Sequence, residues 1–81
     1  MSWRVFATDA SRPDFERLTE AERDALAEVL FSWVESGPRR TNRRLVAGVE
    51  IFEDELPPGI GVTYFVDESE RYVAILRVRK L

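Results

Sequence analysis

The 81-residue sequence contains no cysteine and no histidine. Without cysteine there is no disulfide and no thiolate metal site; without histidine the usual zinc constellations disappear as well. A Ser–His–Asp triad, a Cys–His pair and an imidazole general base are excluded by the same two absences. Long apolar runs are also missing. No charge-free stretch approaches the roughly 20 residues that a spanning helix needs. The start, Trp3-Arg4-Val5-Phe6, meets Asp9 before any apolar targeting core can form. These features lead us to expect a cytoplasmic chain without membrane association, folded as a single domain over residues 1–81. A chain this short buries only about 60% of its unfolded surface, so its stability margin is thin.

What the sequence has in quantity is charge, unevenly placed. Lys and Arg number 12 against 15 Asp and Glu, a net charge of −3. Residues 1–36 hold four Arg and eight acids, and residues 49–70 hold seven acids and no base. Between them lie Arg39, Arg40, Arg43 and Arg44 without an acid, and the last segment carries Arg71, Arg77, Arg79 and Lys80. Two blocks of +4 are thus set among acidic ones, and whether they meet in space bears directly on function.

Periodicity predicts an α+β order of β-α-α-β-β-β. Trp3–Thr8 alternates as a first strand. Asp9 or Ser11 can cap a short helix with Pro13 in its first turn and Phe15 and Leu18 on its inner face. Thr19-Glu20-Ala21-Glu22 is a capping box, followed by Leu26, Val29, Leu30, Trp33 and Val34 as an amphipathic stripe. Gly37 and Pro38 end that helix. Three strands should follow: Leu45 to Phe52 or Glu53 with a bulge at Gly48, Ile60–Val66, and Arg71–Arg79. Pro57-Pro58-Gly59 and Asp67–Glu70 make the turns. On the last strand Tyr72, Ala74, Leu76 and Val78 are expected on one face, and Val73, Ile75, Arg77 and Arg79 on the other. The three strands form an antiparallel meander joined at edge or centre by the first, which the helical crossover could set parallel to the second strand.

These residues resemble the RelE/ParE superfamily of toxins from bacterial type II toxin–antitoxin systems. The resemblance rests on Trp3-Arg4-Val5-Phe6 before an acidic helical hairpin, on Glu55-Leu56 before a turn, on Val62-Thr63-Tyr64-Phe65-Val66-Asp67, and on Tyr72-Val73-Ala74-Ile75-Leu76-Arg77-Val78-Arg79-Lys80. It implies a toxin restrained by a cognate antitoxin wrapped around it. RelE-like members cut mRNA in the ribosomal A site, whereas ParE-like members poison DNA gyrase. By position, Arg79 and Lys80 match the basic end of the last strand, and Arg43 or Arg44 the basic entry to the second. Three departures stand out: Ile60-Gly61-Val62 carries no Arg, no Tyr or helix follows Lys80, and the chain is acidic. The alternative to an enzyme is therefore a non-enzymatic interaction module, either a gyrase-poisoning toxin or an inactive relative.

RNA cleavage through the 2′-hydroxyl needs a held phosphate, neutralised charge and two managed protons. Arg suits the first two tasks, and Lys or Tyr of lowered pKa the third. The catalytic candidates are accordingly Arg77, Arg79, Lys80 and Tyr64; the bland reading makes the cations solvated rim charges. Arg39, Arg40, Arg43 and Arg44 are candidate phosphate ligands, with attraction to the chain's own Glu50–Glu55 segment, or to an acidic antitoxin, as the alternative. Glu53-Asp54-Glu55 cannot aim three carboxylates one way and reads as a solvated turn rather than a magnesium site, so neither metal nor cofactor is expected. Trp33 belongs to the core stripe.

Overall fold

Alternation near the N-terminus produces strand β1 (Arg4–Ala7), and a single 3₁₀ turn over Asp9–Ser11 leads into helix α1 (Arg12–Glu16). The computed structural model describes residues 2–57 and 59–81. Neither expected cap acts through its side chain: Ser11 instead donates its hydroxyl to the Thr8 carbonyl at 2.8 Å. Pro13 does sit in the first turn of α1, where its missing N–H leaves no bond unmade.

Helix α2 (Glu20–Ser36) begins with the expected capping box. The Thr19 hydroxyl accepts the Glu22 N–H at 3.1 Å, and the Glu22 carboxylate accepts the Thr19 N–H at 2.8 Å. Reciprocal bonding of two otherwise orphaned donors fixes where the helix starts. It stops at Gly37, whose φ of 85° suits a residue without a side chain. A Cβ there would also lie 3.0 Å from the Trp3 indole nitrogen. Leu26 and Trp33 are the buried members of the α2 stripe, with Val29 and Leu30 partly buried beside them.

The β region differs from expectation at its beginning. Leu45–Glu53 is not one strand with a bulge but a hairpin of β2 (Arg44–Val46) and β3 (Val49–Leu56). Val46 pairs with Val49, and the two turn residues, Ala47 and Gly48, both have positive φ, 52° and 82°. That is the mirror-image turn whose twist matches paired strands; Ala at its first position concealed it. Glu53-Asp54-Glu55 consequently lies within β3 rather than in a solvated turn, and Asp54 is buried. Of the expected Pro57-Pro58-Gly59 turn, Pro58 lies outside the described residues; the Gly59 N–H donates to the Leu56 carbonyl at 2.9 Å.

Strands β4 (Ile60–Asp67) and β5 (Tyr72–Lys80) complete the meander, giving the order β1-β5-β4-β3-β2. The parallel partner of β1 is β5, not β2. Three successive residues of β5, Val73, Ala74 and Ile75, are buried, so this strand needs a neighbour on each edge and cover on both faces. The alternation along β5 also changes phase. Thr63 pairs with Arg77 but Tyr64 pairs with Ile75, leaving Leu76 as an extra residue. The inner residues are Val73, Ile75 and Val78, and not a strict every-second series.

The core lies between the helices and one sheet face. Tyr64 is its centre, with ring centroids 4.8 Å from Trp33 and 5.7 Å from Phe52. Burial of side chains this large contributes about 1.5–3 kcal/mol each before conformational entropy is charged. Among the described residues no helix packs on the opposite face of the sheet, which presents Glu53, Thr63, Phe65, Arg79 and Phe6. No helix among the described residues is long and apolar enough to cross a membrane.

Candidate nucleic-acid interface

The first basic block is a strained connection pinned to the sheet. Arg40 and Asn42 adopt positive φ, 62° and 50°, a conformation that Asn tolerates but that is costly for Arg. Compensation comes from hydrogen bonds at every step. The Arg40 N–H donates to the Tyr64 hydroxyl at 2.8 Å, and the Thr41 N–H to Asp54 Oδ1 at 3.3 Å. The Thr41 hydroxyl also donates to Asp54, and the Asn42 side chain to the Glu53 carbonyl at 3.0 Å. Arg40 further lies over the Trp3 ring at 5.4 Å, with Arg71 on the same ring at 5.8 Å. Each arginine of the block has a carboxylate: Arg39 with Asp54 at 3.9 Å, Arg40 with Glu68, Arg43 with Glu50, and Arg44 with Glu53 at 2.7 Å.

The second block owes its geometry to the shortness of β1. That strand ends at Ala7, opposite Ile75, so the edge of β5 beyond Leu76 has no partner strand. Asp14 of α1 takes its place. Asp14 Oδ2 accepts the Val78 N–H at 2.9 Å and Arg77 Nε at 2.9 Å. The Arg77 hydrogen bond, then the Val78 N–H, hold the Asp14 carboxyl below its ordinary pKa, and Asp14 in turn raises that of Arg77. Lys80 Nζ lies 3.1 Å from Glu22. A groove of about 390 Å³ opens here, with Arg17, Arg77, Arg79 and Lys80 around it and Leu18 and Val78 among its apolar walls.

The two blocks meet at Glu53. Arg44 Nη2 lies 2.7 Å from one of its carboxylate oxygens and Arg79 Nη2 3.1 Å from the other. Gly61, paired with both Glu55 and Arg79, leaves the sheet surface low at this point. A Cβ on Gly61 would stand 3.2 Å from the Leu81 side chain. A second groove of about 190 Å³ runs past Asn42, Glu53, Glu55, Gly61 and Leu81, and Arg79 borders this one too. Two guanidinium groups are thus already arranged around one anion, in the paired geometry that a phosphate takes as readily as a carboxylate.

No protein-family model matches the sequence, and no curated protein matches it either. Solved structures do. A chain of the archaeal RelE–RelB complex from Pyrococcus horikoshii superposes with a TM-score of 0.78 at 16% identity, over 99% of this chain and 96% of that one. A chain of the intact RelBE toxin–antitoxin complex of E. coli gives 0.77 at 18% identity, covering 99% and 98%. A chain of the Mycobacterium tuberculosis RelBE2 complex gives 0.74 at 21% identity, covering 100% of both. The fold is the RelE fold.

Within this RelE fold, three of the four catalytic candidates, Arg77, Arg79 and Lys80, line one groove. Tyr64 is elsewhere. Its ring is fully buried, its hydroxyl takes the Arg40 N–H, and burial, with Asp54 nearby, raises its pKa above the ordinary phenol value. That is the opposite of the lowered pKa expected of a proton-transfer group. Of the phosphate candidates, Arg44 joins the Glu53 cluster, while Arg39, Arg40 and Arg43 pair with other acids. Sequence reasoning missed Asp14, Arg17 and Glu53. Nothing local marks Asp14 or Arg17, but Glu53 was visible as an acid on the same strand face as Glu55, given the right strand boundaries.

Proposed function

We propose that this protein is the toxin of a toxin–antitoxin pair and that it stops translation by cutting mRNA on the ribosome. The observation that carries this reading is the convergence of Arg44 and Arg79, 35 positions apart, on Glu53. The neighbours of the RelE fold that were crystallised with RelB support a cognate antitoxin as the partner.

In the reaction, the scissile phosphate displaces the Glu53 carboxylate from the two guanidinium groups. The 2′-oxygen forms a bond to phosphorus as the bond from phosphorus to the 5′-oxygen breaks, leaving a 2′,3′-cyclic phosphate and a 5′-hydroxyl. Arg44 and Arg79 hold the phosphate in line and neutralise the charge that develops on it. Glu53, freed from its partners, accepts the proton of the 2′-hydroxyl, and Lys80 supplies one to the departing 5′-oxygen. Arg40 and Arg43, whose acids are exposed, extend the phosphate-facing surface, while Arg39 stays with the buried Asp54. Arg77 holds the groove open through Asp14, and Tyr64 fixes the loop that carries the first block.

The test is controlled expression followed by mapping of transcript 5′ ends. Wild-type protein should arrest growth and leave new 5′-hydroxyl ends in translated mRNA. Arrest with intact mRNA and DNA damage would instead identify gyrase as the target, and no arrest at all would leave a binding module.

A further inference from the structure

The open face of the sheet carries an aromatic strip that the phosphate chemistry leaves unused. Phe6 of β1, Tyr72 of β5 and Phe65 of β4 lie together on it, the Tyr72 ring 5.4 Å from Phe6 and 6.0 Å from Phe65. Ala74 sits between Phe6 and Phe65 in the pairing register and is only 7% exposed, although no helix among the described residues covers this face. The rings cover it from the open side and face solvent themselves, Phe6 at 47% exposure.

Cations bound the strip at both ends. Arg4 lies over the Tyr72 ring at 5.9 Å, and among the described residues it has no carboxylate at ion-pair distance. At the other end the register runs Phe6–Ala74–Phe65–Ile51–Arg44, so the row that holds the aromatics ends in an arginine of the Glu53 cluster. Asp67, the acid next to Tyr72 across the pair, spends its carboxylate on the Ser69 hydroxyl and the Glu70 N–H within its own turn. Phe65 lies four residue steps along β4 from Gly61 beside Arg79, a distance of about 13 Å along the strand.

We propose that this strip is a stacking platform for the bases of single-stranded RNA whose phosphates are held by Arg44 and Arg79. The proposal rests on the RNA-cutting reading and adds the partner of the adjoining surface. Single strands are recognised where unstacked bases can lie on aromatic faces while cations follow the backbone, and that is the alternation found here. An apolar protein segment would use the rings but would have no call on the guanidinium groups at both ends.

The experiment compares binding of a fluorescein-labelled six-nucleotide RNA with that of an abasic oligonucleotide of equal length at low salt. Three proteins are titrated: wild type, Phe65→Leu/Tyr72→Leu, and Arg79→Ala/Lys80→Ala. Leucine keeps the apolar bulk over Ala74 and removes the π-face, so the fold is retained. Wild type should bind the RNA at least tenfold more tightly than the abasic strand, and the leucine variant should lose that preference while binding the abasic strand as before. Equal affinity of wild type for both strands, or an unchanged preference in the leucine variant, overturns the platform and leaves the strip to a protein partner. If Arg79→Ala/Lys80→Ala fails to weaken either strand, the phosphate reading itself falls, and the platform with it.

Discussion

Arg77 and Arg79 stand two residues apart at the end of β5, yet they meet acids of opposite character. The partner of Arg77, Asp14, has a side chain only 3% exposed and also holds the Val78 N–H. The partner of Arg79, Glu53, is 27% exposed and already shared with Arg44. Removing either group from the first pair leaves a buried charge or a buried amide unsatisfied, so that pair is fixed. The second is a half-exposed pair of small net value that another anion can replace. Burial of the acid, more than the number of basic residues, decides which cations are open to a ligand. By the same criterion Arg43 with Glu50 and Arg40 with Glu68, whose acids are 50% and 61% exposed, are exchangeable as well.

The contrast is broken most sharply by Arg79→Ala/Lys80→Ala. On the proposed reading, loss of Arg79, whose acid is replaceable, and of Lys80, the proposed proton donor, should reduce mRNA cleavage by about 10²–10³-fold, the usual effect of removing a transition-state donor, and relieve growth arrest. Its urea midpoint should stay close to that of wild type, since both side chains are about half exposed. Asp14→Ala should do the reverse. Its cost in stability is about 2–3 kcal/mol, from a buried amide and its charged partner left without an acceptor, measured by urea denaturation. Full stability in that variant would mean the pair is not fixed.

Acid titration sharpens the same point. The folded-state pKa of Asp14 is lowered by Arg77 and by the Val78 N–H, so the unfolded chain takes up the proton more readily. The contribution of Asp14 is therefore complete above its ordinary value of 3.8 and is lost as pH falls through that value towards the folded one. Asp14→Asn should flatten this acid arm of the stability curve, and an unchanged arm would assign it to other carboxylates. The smallest effect is expected from Arg43→Ala. Its pair with Glu50 is exposed on both sides, and thermal denaturation should register a change within about 0.5 kcal/mol.

Much of this arrangement is legible in the sequence, for identifiable reasons. The capping box at Thr19, the α2 stripe and the stop at Gly37 are local signals, and each corresponds to a feature of the fold. The two basic blocks are equally plain as composition. What the sequence withheld is non-local. The hairpin at Ala47-Gly48 lacks the Asn-Gly or Asp-Gly signature, and missing it hid the strand that carries Glu53 and Asp54. The extra residue at Leu76 depends on a register that only β4 can define. Asp14 reaches Val78 across 64 positions because β1 is too short to cover that edge, a fact about strand length and not about either residue.

The most direct measurement is the RNA affinity of Glu53→Gln, titrated against the six-nucleotide RNA across a range of salt. Removing the internal anion frees Arg44 and Arg79 together, so binding should tighten several-fold and its salt dependence steepen, while cleavage falls for want of the proton acceptor. Unchanged or weaker binding with an unaltered salt slope would contradict the account, because Glu53 would then not be occupying the place of a phosphate.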